Sequence, residues 1–100
     1  MDNPTNLSVI LNIACEITNC TPRMLCSDIP RDWFNSCYAR YIYILLAVEN
    51  GTSAEDASVF MGSTKSMGRR YLARARDKAL WDDQFYKLLT KARDTYAKRH

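Results

Sequence analysis

The stretch from Ser53 to Ala79, SAEDASVFMGSTKSMGRRYLARARDKA, decides how the rest of the chain is read. Ser53 stands three residues before Asp56, the spacing of a capping box with Asp in the place usually taken by Glu, so a short helix is expected to begin there and run to about Met61. Gly62 supplies a turn, and Ser63 or Thr64 can cap a second, longer helix that continues to about Ala79. In that helix Met67, Tyr71, Leu72 and Ala75 recur at helical spacing as the inward side, which leaves Lys65, Ser66, Arg69, Arg70, Arg74 and Arg76 facing outward. Gly68 lies inside the helix, where its propensity cost of about 1 kcal/mol relative to Ala predicts a frayed or rearranged amino end.

Upstream, Phe34, Cys37, Tyr38, Tyr41, Ile42, Leu45, Leu46 and Val48 form a broad apolar stripe from Trp33 to Glu49, wide enough for a central helix on which the others pack. Asn50-Gly51 is its left-handed stop. Leu7, Ile10, Leu11, Ala14 and Ile17 predict an earlier amphipathic helix from Leu7 to about Asn19, introduced by Pro4 and Thr5. Thr21-Pro22 has the form of an N-cap with proline in the first helical position, so a short helix to about Ser27 is expected. Asp28-Ile29-Pro30-Arg31-Asp32 follows as a loop in which Arg31 is the only basic side chain. Downstream, the carboxylates of Asp82 and Asp83 favour a helix amino end, and Phe85, Leu88, Leu89, Ala92 and Tyr96 give the inward side of a last helix over about 82–98. Without an alternating strand pattern, an internal repeat or a linker, the expectation is a single all-α domain over residues 1–100, built from five to six helices.

Composition narrows the function classes. The chain has 100 residues, 47% of them apolar, enough for one modest core. Its longest apolar run, Tyr41 to Val48, falls far short of the roughly 20 residues a membrane-spanning helix needs. Met-Asp-Asn-Pro at the amino terminus lacks the basic start and apolar stretch of a secretory signal, so a cytoplasmic protein without a membrane partner is expected. Cys15, Cys20, Cys26 and Cys37 show no two-residue spacing of a zinc knuckle, and the one histidine is the terminal His100. Reduced, buried thiols are the expectation, with no metal and no cofactor. A general base or nucleophile set needs a histidine or clustered carboxylates, and a phosphate loop needs closely spaced glycines; Gly51, Gly62 and Gly68 stand apart. No catalytic residues, no small-molecule substrate and no ATPase are therefore expected.

The net charge of +3 hides an asymmetry. Up to Thr64, Arg23, Arg31 and Arg40 face seven acids, a balance of −4; beyond it, eleven Lys and Arg face Asp77, Asp82, Asp83 and Asp94, a balance of +7. Such a polarised charge suits a polyanionic partner, although solvated helix surfaces would read the same way in composition alone. Combined with the segment from Ser53 to Ala79, it gives a helix-turn-helix layout, in which the second helix enters the major groove and the first crosses the phosphate backbone. Basic side chains then neutralise phosphates, and residues near the amino end of the second helix reach base edges.

The order of these pieces resembles the DNA-binding carboxy-terminal domain of the bacterial replication initiator DnaA over roughly Leu7 to Ala79. Ala39-Arg40-Tyr41-Ile42-Tyr43-Ile44-Leu45-Leu46-Ala47 is similar to the family's alanine, arginine, apolar, leucine-alanine pattern. Thr52-Ser53-Ala54-Glu55-Asp56-Ala57 corresponds to the start of the family's first recognition-motif helix, and Phe60-Met61-Gly62 to its turn. The resemblance implies the all-α fold shared with the Trp repressor, a minor-groove arginine near Arg31, duplex DNA as partner and a replication protein as a further one. The family's arginine-aspartate-histidine-threonine-threonine signature falls on Thr64-Lys65-Ser66-Met67-Gly68, which shares none of those residues. A different sequence preference is the consequence. Arg70-Tyr71-Leu72-Ala73-Arg74-Ala75-Arg76 also looks like the second helix of the promoter-reading motif in sigma factors, with Leu72 inward and Arg70 and Arg74 outward.

The candidate DNA-binding residues are therefore Arg31 toward the minor groove, Lys65 and Ser66 toward bases, Arg69, Arg70 and Arg74 on phosphates, and Ser53 and Thr64 at the two helix starts. Such a domain has an accessory or regulatory role in replication or transcription, because it lacks the modules that assemble and melt an origin. The alternative is a protein-interaction module on the same fold, whose partner surface would come from whichever of Trp33, Tyr41, Tyr43, Trp81 and Tyr96 are exposed, most of them being more simply core or rim residues.

Overall fold

Asn6 opens the first helix, α1 (Leu7–Thr18), by accepting the Val9 amide on its side-chain oxygen at 3.2 Å, and Asn19 closes it in the left-handed conformation. The structure, a computed structural model, describes residues 6–21 and 33–99. α2 (Trp33–Glu49) is followed by α3 (Ala54–Phe60), α4 (Lys65–Trp81) and α5 (Asp83–Arg99), and no strand occurs among the described residues. The protein is all-α. The short helix expected from Thr21 to about Ser27 and the loop from Asp28 to Asp32 lie outside the described residues.

α2 is the axis. Ala39 and every residue from Tyr41 to Ala47 are buried, because α1, α3, α4 and α5 all pack on this helix. Full burial of an aliphatic side chain such as Ile42, Ile44 or Leu46 contributes about 1.5–3 kcal/mol. α1 adds Ile10, Ile13 and Ala14, and α5 adds Phe85, Leu89, Ala92 and Tyr96. Tyr41 stands between Tyr71 of α4 and Phe85 of α5, with ring centroids 6.3 and 6.2 Å away. Tyr41, Tyr43 and Tyr96 are therefore core residues, in line with the simpler reading of most of these aromatics as core or rim. Of that group Trp81 is exposed, at 80%.

The helix junctions follow local chemistry. After α2, Gly51 takes a φ of +100°, open to glycine without a Cβ penalty, and the Thr52 amide turns back to the Ala47 carbonyl at 3.0 Å. Between α4 and α5 a single residue, Asp82, serves both helices. Its amide reaches the Lys78 carbonyl at 2.8 Å, while one carboxylate oxygen accepts the Phe85 amide at 3.0 Å as the cap of α5. The other carboxylate oxygen accepts the Tyr38 hydroxyl at 2.6 Å, tying this corner to α2. That bond, with the Phe85 amide, holds the Asp82 carboxyl below the usual carboxylate range and pushes the Tyr38 phenol up.

Two exposed ion pairs fasten α5 to the rest of the bundle. Arg93 Nε lies 3.1 Å from both carboxylate oxygens of Glu49 on α2, and Arg99 reaches Glu16 on α1 at 2.7 Å. Part of the basic excess beyond Thr64 is thus matched internally against acids of the first half. The free cationic surface is smaller than the sequence balance implies.

Candidate nucleic-acid interface

Ser53 starts α3 with its hydroxyl accepting the Asp56 amide at 3.1 Å, the cap expected from the sequence. The Tyr43 hydroxyl, in the middle of α2, donates to the Ala57 carbonyl at 2.6 Å and pins α3 to the core. Met61 is buried beneath the turn, Gly62 takes a φ of +92°, and the Ser63 amide returns to the Ser58 carbonyl at 2.9 Å. Thr64 then caps α4, its hydroxyl accepting the Met67 amide at 3.2 Å and lying 3.2 Å from the Ser66 hydroxyl. Both Ser53 and Thr64 are exposed, with their hydroxyls engaged in these local bonds.

Gly68 corrects an expectation. α4 runs unbroken from Lys65, with the Gly68 amide bonded to the Thr64 carbonyl at 3.1 Å, and Gly68 is buried. A Cβ at this position would stand 2.3 Å from the Ala54 carbonyl oxygen and 2.8 Å from the Ser58 Cβ. The glycine is where α3 and α4 touch backbone to side chain, so its cost in propensity is offset by a close approach that no other residue allows. Ser58 is fully buried at the same crossing, and its hydroxyl has no hydrogen-bond partner among the described residues.

The outward side of α4 is broader than one ridge. Lys65, Ser66, Arg69, Arg70, Ala73, Arg74, Arg76 and Asp77 are all exposed, opposite the buried Gly68 and Ala75. At about 100° per residue, Lys65, Arg69 and Arg76 fall along one edge of that side and Arg70 and Arg74 along the other. Ser66, Ala73 and Asp77 lie between them. Among the described residues Lys65, Arg70, Arg74 and Arg76 form no ion pair within 4 Å, and Arg69 makes a single long contact of 4.0 Å to Glu55. Arg31 lies outside the described residues. The two-edged arrangement and the central Ala73 were missed in the sequence, although helical periodicity alone carries that signal.

No group of three His, Cys, Asp or Glu side chains among the described residues is placed to hold a metal ion. Cys15 and Cys20 are buried and form no disulfide among the described residues. No helix among the described residues is long and apolar enough to cross a membrane. Comparison with models of known protein families, with curated proteins and with solved structures finds no match.

Proposed function

We propose that the chain binds duplex DNA, without enzymatic activity, by laying the outward side of α4 in the major groove while α3 crosses the phosphate backbone. The observation that carries this reading is the pair of cationic edges on α4, with the small side chains of Ser66 and Ala73 between them and the carboxylate of Asp77 in the same strip. A helix with its side chains is about 10–12 Å across, and the major groove is about 12 Å wide. Cations on both edges of the helix therefore meet the phosphates of both strands, and Ser66 and Ala73 face the base edges. The Ser66 hydroxyl can donate or accept, and the Ala73 methyl suits the thymine methyl group. The resemblance to the replication initiator's DNA-binding domain adds the setting, an accessory or regulatory role in bacterial replication or transcription with an altered sequence preference.

Titration of labelled duplex with the full chain across a range of salt tests the reading. With four or five basic side chains on phosphates, the logarithm of the binding constant should fall against the logarithm of salt with a slope of about −4. Absence of duplex affinity at low salt, or an affinity that salt leaves unchanged, refutes it. The half-exposed Val59 and Phe60, side by side at the end of α3, favour the second reading, a protein-interaction module on the same fold. That reading gains if duplex binding fails while the fold is intact.

A further inference from the structure

Asp77 is the one acidic residue of α4, and it stands on the side of the helix that the proposed reading turns toward DNA. At about 100° per residue it falls about 20° from Ser66 and about 40° from Ala73, inside the strip between the two cationic edges. It is exposed, and among the described residues it forms no ion pair within 4 Å, although Arg74, Arg76 and Lys78 are its near neighbours in the helix. Lys78 lies instead 3.7 Å from Asp82. A carboxylate left unpaired on a surface that meets a polyanion costs affinity unless a group on the DNA donates to it.

Resting on the DNA reading above, we infer that Asp77 is a specificity-determining residue that reads the amino group of a cytosine in the major groove. An ionised carboxylate only accepts hydrogen bonds. On the major-groove edges the donors are the N4 amino group of cytosine and the N6 amino group of adenine, whereas guanine and thymine offer acceptors and a methyl group. The adenine amino group sits between two acceptors, its own N7 and the O4 of the paired thymine, so a carboxylate brought to it meets lone pairs on either side. Cytosine carries a C–H beside N4, and only the O6 of the paired guanine lies on the other side. Cytosine is therefore the base that Asp77 suits.

The place of Asp77 in the strip gives it this reach. Phosphates flank the groove, where Lys65, Arg69 and Arg76 on one edge and Arg70 and Arg74 on the other meet them whatever the sequence. A side chain midway between the edges faces the base pairs. Asp77 then discriminates by repulsion as much as by contact, since every site without an amino donor leaves its charge unpaired among acceptors. Ala73 stands four residues earlier, about 6 Å along the helix axis. At about 3.4 Å per base step, the thymine methyl group that Ala73 suits and the cytosine lie within about two base pairs of each other.

Binding selection from random duplexes tests this, with the native full chain, Asp77→Asn and Asp77→Ala, circular dichroism confirming the fold of each. The selected duplex is then titrated beside the same duplex with the cytosine replaced. The native chain should select cytosine at one position and lose about tenfold in affinity when that C·G pair becomes T·A or G·C. Asp77→Asn should move the preference at that position to adenine, because an amide accepts from N6 while donating to N7. Asp77→Ala should lose the preference at that position alone and bind duplexes without the site several-fold more tightly, one negative charge having left the surface. Duplex binding by the native chain with no cytosine position, or with a cytosine preference that both variants keep, overturns the role of Asp77 and leaves the DNA reading standing. If the native chain binds no duplex even at low salt, the DNA reading falls and the cytosine contact falls with it.

Discussion

Replacing Gly68 by Ala sets two physical effects of opposite sign against each other. Helix propensity favours the substitution by about 1 kcal/mol, since Gly is the poorest ordinary helix former and Ala the best. The new Cβ, however, would lie 2.3 Å from the Ala54 carbonyl oxygen and 2.8 Å from the Ser58 Cβ. Neither neighbour is the free end of a flexible side chain. The carbonyl belongs to the first turn of α3, and α3 is pinned through Ala57 to the Tyr43 hydroxyl, so relief requires the two helices to move apart. Overpacking of this kind costs about 1–3 kcal/mol and occasionally more; with a backbone atom as the obstacle, the upper part of that range applies. The net expectation is a loss of about 1–2 kcal/mol, and at about 4–8 °C per kcal/mol for a domain of this size Tm should fall by roughly 4–16 °C. Thermal and urea unfolding of Gly68→Ala beside an exposed control in the same helix, Ala73→Gly, gives the comparison. Ala73→Gly should lose about 1 kcal/mol from propensity alone. A rise in Tm for Gly68→Ala would refute the close-approach reasoning and leave the glycine as a plain weak point of α4.

Four further outcomes are expected. The Asp82 carboxyl is held low chiefly by the Tyr38 hydroxyl, so its contribution to stability is complete above the unfolded value of about 3.9 and is lost as pH falls through the lower folded value; Tm measured against pH should show this acid limb flattened in Asp82→Asn. The same bond raises Tyr38, whose contribution is complete below about pH 10 and is lost as pH rises through the folded value, a limb that Tyr38→Phe should remove. Tyr43→Phe deletes a buried 2.6 Å bond to a carbonyl that still accepts the Met61 amide, so a loss of about 1 kcal/mol in urea unfolding is expected. Arg70→Ala and Arg74→Ala should each weaken all duplexes alike and reduce the salt slope by about 1, whereas Ser66→Ala should relax preference at one position; the reverse pattern in binding selections would overturn the assignment of roles.

Much of the architecture was legible because it is written in short-range signals. Ser53 with Asp56, Thr64 before α4, and Asn50-Gly51 after α2 each act within four residues, and each appears where the sequence placed it. What was not legible depends on residues far apart in the chain. Gly68 reads as a weakness until the Ala54 carbonyl is seen against it. Tyr43 falls outside the apolar stripe that the sequence marks on one side of the helix, yet it is fully buried because α2 is enclosed all round from Tyr41 to Ala47. The charge imbalance misled for the same reason. Arg99 pairs with Glu16 across 83 positions and Arg93 with Glu49 across 44, distances at which no sequence pattern connects the partners.

The rotation of α4 about its own axis is the quantity on which the candidate interface depends. One residue of roll, about 100°, would carry Arg70 and Arg74 toward the core and bring Leu72 out, leaving a single cationic edge. Two small buried residues seven apart, Gly68 and Ala75, fix that rotation, because only their side of the helix can come so close to its neighbours. Tyr71, beside Tyr41, blocks rotation in one sense, and the Thr64 cap holds the first turn. The outward placement of the arginines is thus set from the inside of the bundle. A substitution at a residue that touches no ligand, Gly68→Ala first among them, should alter binding as strongly as the loss of one surface cation.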